Sequence, residues 1–243
     1  MPAYPKERFH TLVNQIPEKI KETIFCFSGE PYLCEEAAKQ IITKIKKKNV
    51  IIEYVFGDEI EQASFKEKLL SASLFGEEKI IWIKYLTRFS FLSPKIIHHL
   101  QHYLVITTLE AKAIPDFIKK EAIFVDFSVK PKEQQRWQEQ LIQTVLKKAK
   151  KRITPTAKTY LLDYTGFNLF ALKNYLEMLI NYIGEKEIIN EQHIINMVTP
   201  IKEEAAFAIG EKLEQNKTEI ALSFLKNLVE QGFHPLAILS VLI

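Results

Sequence analysis

The feature that most constrains this chain is the alternation of short apolar runs with amphipathic helical stretches between residues 23 and 127. Five runs are rich in β-branched and aromatic side chains, as buried strands are: 23–28, 51–56, 80–83, 103–108 and 123–127. Helical patterns separate successive runs. Strands that alternate with helices at this spacing predict a three-layer α/β domain with a largely parallel, five-stranded sheet.

Only helical patterns follow residue 127. Pro131 and the pair Thr154-Pro155 are helix-start signals, because proline fits the first helical position and threonine caps it. Asn168 and Asn190 are candidate caps of two further helices, and glycines follow the helices of the middle segment. These signals predict a small helical domain of the kind that often accompanies an α/β domain.

Three domains are therefore predicted, with bounds at 1–127, 128–199 and 200–243. The third would be the beginning of a further helical domain. The sequence ends in the apolar run Leu-Ala-Ile-Leu-Ser-Val-Leu-Ile. We expect that domain to continue beyond this run or to be completed by another subunit.

The net charge of +3 is too small to indicate a nucleic-acid partner by itself. The charge is unevenly distributed, because residues 128–199 carry 11 Lys and Arg against 7 Asp and Glu. Their densest basic segment consists of Lys147, Lys148, Lys150, Lys151 and Arg152. It fits a solvated last helical turn, where cations suit the helix dipole, and it equally fits a salt-sensitive contact with DNA phosphates.

Metal chemistry has weak support in the sequence. Cys26 and Cys34 lack the spacing of a zinc site, and we predict that both are reduced thiols in or near the core. His98 and His102 lie four residues apart, as two metal ligands on a helix do, but Leu100 and Gln101 provide no third ligand. We therefore interpret His98, His99 and His102 as a solvated helix end. The first residues have no apolar signal segment, and no run approaches 18 apolar residues, so we expect a cytoplasmic protein without membrane contact.

The junction before the third strand is unusually apolar. A helical pattern ends in Leu74 and Phe75 at Gly76, where a polar connection is expected, and the strand 80–83 follows. Apolar residues at a helix end often pack against the last turn beside a glycine. The alternative is that Leu74 and Phe75 bind another protein.

The turn after the first strand, Gly29 to Glu36, occupies the place of a phosphate loop, whose pattern is G-x-x-x-x-G-K-[ST]. It has no second glycine, no lysine and no Ser or Thr, while its three carboxylates would repel phosphate. Pro31 also removes an amide donor. No strand ends in an Asp-Glu pair that could hold magnesium, and no catalytic constellation is visible. We predict no ATP hydrolysis, no catalytic residues, no metal and no cofactor.

Four segments, in order, resemble one family. They are Phe27-Ser-Gly-Glu-Pro-Tyr-Leu-Cys-Glu-Glu-Ala37, Ser73-Leu-Phe-Gly-Glu-Glu-Lys-Ile-Ile-Trp82, the stretch from Leu169 to Val198, and Gln231-Gly-Phe-His-Pro-Leu-Ala-Ile-Leu239. Together they resemble the delta subunits of bacterial DNA polymerase III, which are clamp-loader proteins with an AAA+-like fold. The resemblance covers nearly the whole chain from about residue 23, although the family normally continues for most of a further helical collar domain.

This resemblance implies a role in DNA replication. It implies that Leu74 and Phe75 enter a hydrophobic pocket of the sliding clamp, that Ser73 and Gly76 shape their presentation, and that one clamp interface is opened. Its implied partners are the clamp ring, the other loader subunits (gamma or tau, and delta prime) and primer-template DNA. Two alternatives remain open: an active AAA+-type nucleotidase, which would bind ATP with magnesium, and a DNA-binding module that uses the basic segment.

Overall fold

The computed structural model describes residues 4–16, 23–45, 50–70 and 79–197, with 218, 221, 222, 225 and 226. The chain forms two compact units, of which the first ends at Glu133 and the second begins at Gln134. The predicted division into three domains, with a third from residue 200, stays a prediction because most of that domain lies outside the described residues.

The first unit contains the predicted alternation of strands and helices. Its elements in chain order are α1 (Phe9–Gln15), β1 (Ile24–Gly29), α2 (Pro31–Ile45), β2 (Ile51–Phe56), α3 (Gln62–Leu70), β3 (Lys79–Lys84), α4 (Pro94–His98), β4 (Tyr103–Thr108), α5 (Asp116–Glu121) and β5 (Ile123–Phe127). Short 3₁₀ turns cover Lys6–Arg8 and Ala111–Ala113.

The five strands form one parallel sheet in the order β2-β3-β4-β1-β5. This confirms the predicted α/β fold with a parallel five-stranded sheet. Because parallel crossovers are right-handed, the outward step from β1 to β2 places α2 on one face, and the return steps place α3, α4 and α5 on the other.

Apolar side chains fill both faces of the sheet. On the side of α3, α4 and α5, the strand residues Cys26, Ile81 and Ile106 pack with Leu69 and Ile118. On the opposite side α2 contacts β1 and β4, and α1 is joined to the sheet by aromatic rings. Cover on both faces explains why the central strands β1, β3 and β4 read as continuous apolar runs instead of alternating ones.

Both cysteines are free and buried, which confirms their predicted place in the core. Burial raises the pKa of the Cys26 thiol to about 12, with only a small opposing effect of the Lys119 charge. Burial also raises the pKa of Cys34. Thiolates are the reactive form of cysteine, so the two thiols are held in their inert state.

The second unit is mainly helical. Helix α6 (Pro131–Ala149) belongs to it from Gln134 onward. The following elements are β6 (Arg152–Ile153), α7 (Pro155–Thr165), α8 (Leu169–Ile183), β7 (Ile188–Ile189) and α9 (Glu191–Met197). The predicted caps are confirmed, since the side chains of Thr154, Asn168 and Asn190 accept from backbone N–H groups three residues later. The helical patterns did not predict the short parallel pair of β6 and β7.

Neighbouring apolar residues of α7 differ in burial. The side chain of Tyr160 is 47% exposed, while Leu161 beside it is fully buried. A tyrosine hydroxyl tolerates water, so periodicity alone does not place it. Among the described helices, none has the length and apolar content required to cross a membrane.

Candidate functional site

The carboxyl edge of the sheet is where a nucleotide would bind in a phosphate-loop protein. There β1 ends at Gly29, whose φ of +111° lies in the region that favours glycine. A Cβ at this position would lie 2.3 Å from the Ser128 nitrogen and 2.5 Å from the Phe127 carbonyl carbon. Gly29 is therefore required for the close approach of this turn to the end of β5.

Glu30 occupies the N-terminus of α2. Its Oε2 accepts a hydrogen bond of 2.8 Å from the Leu33 backbone N–H, while Pro31 begins the helix without an N–H of its own. Burial raises the pKa of the Glu30 carboxyl, although N–H groups of Leu33 and Tyr32 partly oppose the increase. Helix N-termini bind phosphates through such N–H groups. Here a carboxylate of the chain itself uses them.

A second carboxylate, Glu35, lies one turn further along α2 and is 8% exposed. Its Oε1 accepts from the Tyr85 hydroxyl at 2.7 Å and from Lys84 Nζ at 3.2 Å. Burial by itself would raise the pKa of Glu35, but the bonds from Tyr85 and Lys84 outweigh it, and the pKa is lowered. Burial, followed by the bond to Glu35, raises the pKa of Tyr85.

The third carboxylate of the turn, Glu36, forms an ion pair of 2.9 Å with Lys39. All three carboxylates that the sequence placed in this turn thus have internal partners. A phosphate would have to displace Glu30 from the helix N-terminus and approach a partly buried anion at Glu35. The geometry therefore disfavours a nucleotide phosphate at this edge.

Sequence reasoning missed the contact of Glu35 with Lys84 and Tyr85. A signal was available, because Glu35 stands seventh from Gly29, where the phosphate-loop pattern has its lysine. Lys84 closes β3, where such proteins place the magnesium-binding Asp. A negative charge at Glu35 and a positive charge at Lys84, each opposite to that of the phosphate-loop pattern, could have indicated a direct ion pair between them.

The histidine cluster needs a correction. His98 and His99 are exposed at the end of α4, and His99 Nδ1 donates to the Lys95 carbonyl oxygen at 2.7 Å. His102, expected to be solvated, is only 4% exposed because β4 begins directly after it and enters the core. In the described part of the chain, no group of three His, Cys, Asp or Glu side chains could hold a metal ion.

The basic segment divides into two groups. Lys151 Nζ donates to the carbonyl oxygens of Gly184 and Lys186, both at 2.7 Å, and so ties down the turn after α8. Arg152 pairs with Glu187 at 3.2 Å, with both side chains well exposed. The other three cations are exposed and have no ion pair with any residue that the structure describes: Lys147, Lys148 and Lys150.

Leu74 and Phe75, with Ser73 and Gly76, lie outside the described residues, so their exposure stays untested. The scaffold on either side is described. Helix α3 ends at Leu70 and is anchored by Phe65, whose ring meets that of Phe91 edge-on at 5.4 Å. An ion pair joins Lys68 in its last turn to Glu53 of β2.

Comparison with known proteins tests both the fold and the family resemblance. The sequence matches no protein-family model. It is 27% identical, over an alignment of 243 residues, to the "Probable DNA polymerase III subunit delta" of Aquifex aeolicus. The alignment covers 91% of this chain and 68% of that protein.

Three solved structures were matched by the structural comparison. The Thermotoga maritima RuvB Holliday junction branch migration motor has a TM-score of 0.55 and 10% identity, covering 87% of this chain and 77% of RuvB. Brucella abortus NtrX in complex with ADP has a TM-score of 0.51 and 10% identity, covering 83% and 57%. The Bacillus subtilis DNA clamp loader delta protein has a TM-score of 0.48 and 16% identity, covering 97% and 75%.

The likeness to RuvB confirms the predicted AAA+-like fold. The relative from Aquifex aeolicus aligns along nine tenths of the chain. The chain is therefore similar to the delta subunits of bacterial DNA polymerase III, as its four sequence motifs predicted.

Proposed function

We propose that the chain works as a clamp-loader delta subunit, which binds the ring-shaped sliding clamp and opens one interface for loading onto primed DNA. The observation that carries this proposal is the similarity to a delta subunit over 91% of the chain. The carboxyl edge supports it, because a turn whose carboxylates are satisfied internally suits a subunit that leaves ATP hydrolysis to the motor subunits of the loader. Its proposed partners among the loader subunits are gamma or tau, and delta prime.

In this proposal Leu74 and Phe75 enter a hydrophobic pocket of the clamp, and Ser73 and Gly76 shape their presentation. Two apolar side chains in a pocket are a common form of interface hot spot. The described scaffold supports the role. The segment that contains them leaves the anchored helix α3 and enters β3, which is buried along its centre. A rigid base lowers the entropy lost on binding.

We assign the proposed DNA contact to Lys147, Lys148 and Lys150. These three cations are exposed, while Lys151 and Arg152 already have partners within the chain. Contacts of this kind read no sequence and weaken as salt rises. Primer-template DNA would meet them inside the assembled loader.

The experiment is a binding titration of the full chain with its cognate sliding clamp, comparing wild type with Leu74→Ala/Phe75→Ala. Losing two hot-spot side chains at about 2 kcal/mol each weakens binding roughly 1000-fold. Leu70→Ala is the matched control, because Leu70 is an apolar side chain at the end of α3 with 41% exposure. We expect it to bind like wild type.

Thermal unfolding verifies that each variant is folded. Undiminished clamp binding by the folded double variant would refute the proposal. Calorimetric titration with ATP and magnesium tests the rival nucleotidase, since tight nucleotide binding by the isolated chain would favour that alternative. Salt-sensitive DNA binding by the isolated chain would favour the DNA-binding module.

A further inference from the structure

Strand β3 links two edges of the sheet. Its first residue, Lys79, directly follows segment 71–78, which contains Leu74 and Phe75, and its last residue, Lys84, is bound by Glu35 of α2. Whatever holds the carboxyl end of β3 therefore also holds the strand that carries the proposed clamp-binding segment at its other end.

We propose that Glu35, Lys84 and Tyr85 form a clasp that fixes α2 to β3 in place of a bound nucleotide, and so holds the strand that follows the proposed clamp-binding segment in the sequence. The three are positioning residues, and their effect on clamp binding rests on the function proposed above. The clasp itself, the contact between α2 and β3, is independent of that function.

The first support is the inversion of charge. In a phosphate-loop protein, a lysine at the start of the helix contacts the nucleotide phosphates, and an aspartate binds the magnesium ion beside them. Here the helix carries Glu35 and the strand end carries Lys84, which are opposite charges and contact each other directly at 3.2 Å. A bridging ligand is therefore unnecessary.

The second support is the backbone at the strand end. Tyr85 has a φ of +55°, which is rare for an aromatic residue and persists only where surroundings impose it. Its N–H donates to Thr107 Oγ1 at 3.3 Å, and the Leu86 N–H donates to the Thr107 carbonyl oxygen at 2.9 Å. This conformation brings the Tyr85 hydroxyl to Glu35 at 2.7 Å.

The third support is the packing of Lys84. Its Nζ lies 4.6 Å from the centre of the Trp82 ring, within range of a cation–π contact. The side chains of Lys84 and Glu35 are 18% and 11% exposed, respectively. A pair this well shielded is weakened by salt much less than a surface pair.

The test exchanges the charges. Glu35→Lys and Lys84→Glu each place like charges together, whereas the double variant Glu35→Lys/Lys84→Glu restores attraction. We expect hydrogen exchange in α2 and at residues 79–86 to rise by about tenfold or more in each single variant, and to recover largely in the double variant. Arg152→Glu/Glu187→Arg, the same exchange on an ion pair whose side chains are both 72% exposed, should leave the hydrogen exchange of these segments unchanged.

Glu35→Gln and Tyr85→Phe provide milder variants if the charge reversals fail to fold. Wild-type exchange rates in both would overturn the clasp, as would a double variant no better than its parents. Clamp affinity is measured in parallel. If Leu74→Ala/Phe75→Ala binds the clamp like wild type while the clasp variants alter exchange as expected, the proposed function fails and the clasp stands.

Discussion

The carboxyl edge of the sheet and the basic segment of residues 147–152 are the two regions for which the sequence raised the question of phosphate binding. Their charged side chains differ in how many have partners within the chain. At the sheet edge the charges are consumed internally: Glu30 caps α2, Glu35 binds Lys84 and Tyr85, and Glu36 pairs with Lys39. In the basic segment Lys151 and Arg152 are used in this way, whereas the other three cations have no ion pair within the part of the chain that the structure describes.

The difference follows from what each charge meets after folding. The sheet edge brings the end of β3 to the first turns of α2, so Glu35 meets donors there, while Glu30 and Glu36 find theirs three residues later in α2. The end of α6 is an exposed helix terminus, and the two cations that follow it, Lys151 and Arg152, reach the carbonyls and the carboxylate that follow α8. A run of like charges is therefore not one functional unit, and the predictions below test its members separately.

The largest effect is expected at Gly29. In Gly29→Ala the new Cβ would clash with the backbone of Phe127 and Ser128, so we expect a loss of roughly 3 kcal/mol or more in the free energy of unfolding. Gly166→Ala is the control, since Gly166 also has positive φ, at +51°, but has no atom within 4 Å of the Cβ position. It should lose about 1 kcal/mol.

Denaturant unfolding measures both variants. Equal losses for Gly29→Ala and Gly166→Ala would contradict the close approach of this turn to the end of β5. The carboxyl edge of the sheet would then be less tightly packed than the structure shows, and a ligand would have room beside Glu30.

Two substitutions of Glu30 separate the role of its side-chain oxygen as a helix cap from the role of its negative charge. Glu30→Ala removes the acceptor for the Leu33 N–H and should cost about 1 kcal/mol of unfolding free energy. Glu30→Gln keeps an oxygen acceptor. Because the pKa of Glu30 is raised in the folded protein, its contribution to stability is present at low pH and is lost as the pH rises through that value.

At pH 7 we therefore expect Glu30→Gln to be at least as stable as wild type, with its advantage decreasing toward pH 4. Thermal unfolding across that range measures the trend. A Glu30→Gln variant as unstable as Glu30→Ala at neutral pH would show that the charge itself is needed at the N-terminus of α2.

The smallest effect on stability is expected in the basic segment. Lys151→Met loses two hydrogen bonds to carbonyl oxygens and should cost about 1 kcal/mol. The matched variant Lys147→Met should stay within about 0.5 kcal/mol of wild type. In the assembled loader we expect the reverse order for DNA affinity, with Lys147→Met lowering both the affinity and its salt dependence.

Equilibrium unfolding and DNA titration at several salt concentrations measure the two quantities. Equal DNA affinities for Lys147→Met and wild type would remove Lys147 from the proposed contact. A Lys151→Met variant of unchanged stability would contradict the division of the segment.

Much of the fold was available from the sequence, because it depends on local patterns. The five apolar runs became the five strands, with Ile51–Phe56, Tyr103–Thr108 and Ile123–Phe127 at the predicted bounds. Helix caps at Thr154 and Asn168 were equally predictable, since a cap acts within three residues. Short strands such as β6, with two residues, carry no periodic signal and were missed.

The amino-acid sequence by itself determined that the chain alternates strands with helices, lacks a phosphate-loop pattern and carries an apolar Leu74-Phe75 junction. Only the tertiary structure decided which charges are used internally. Glu35 and Lys84 are 49 residues apart, and Lys151 and Gly184 are 33 apart. Their contacts depend on strand order and on turns that meet in space, and no pattern along one helix or strand contains that information.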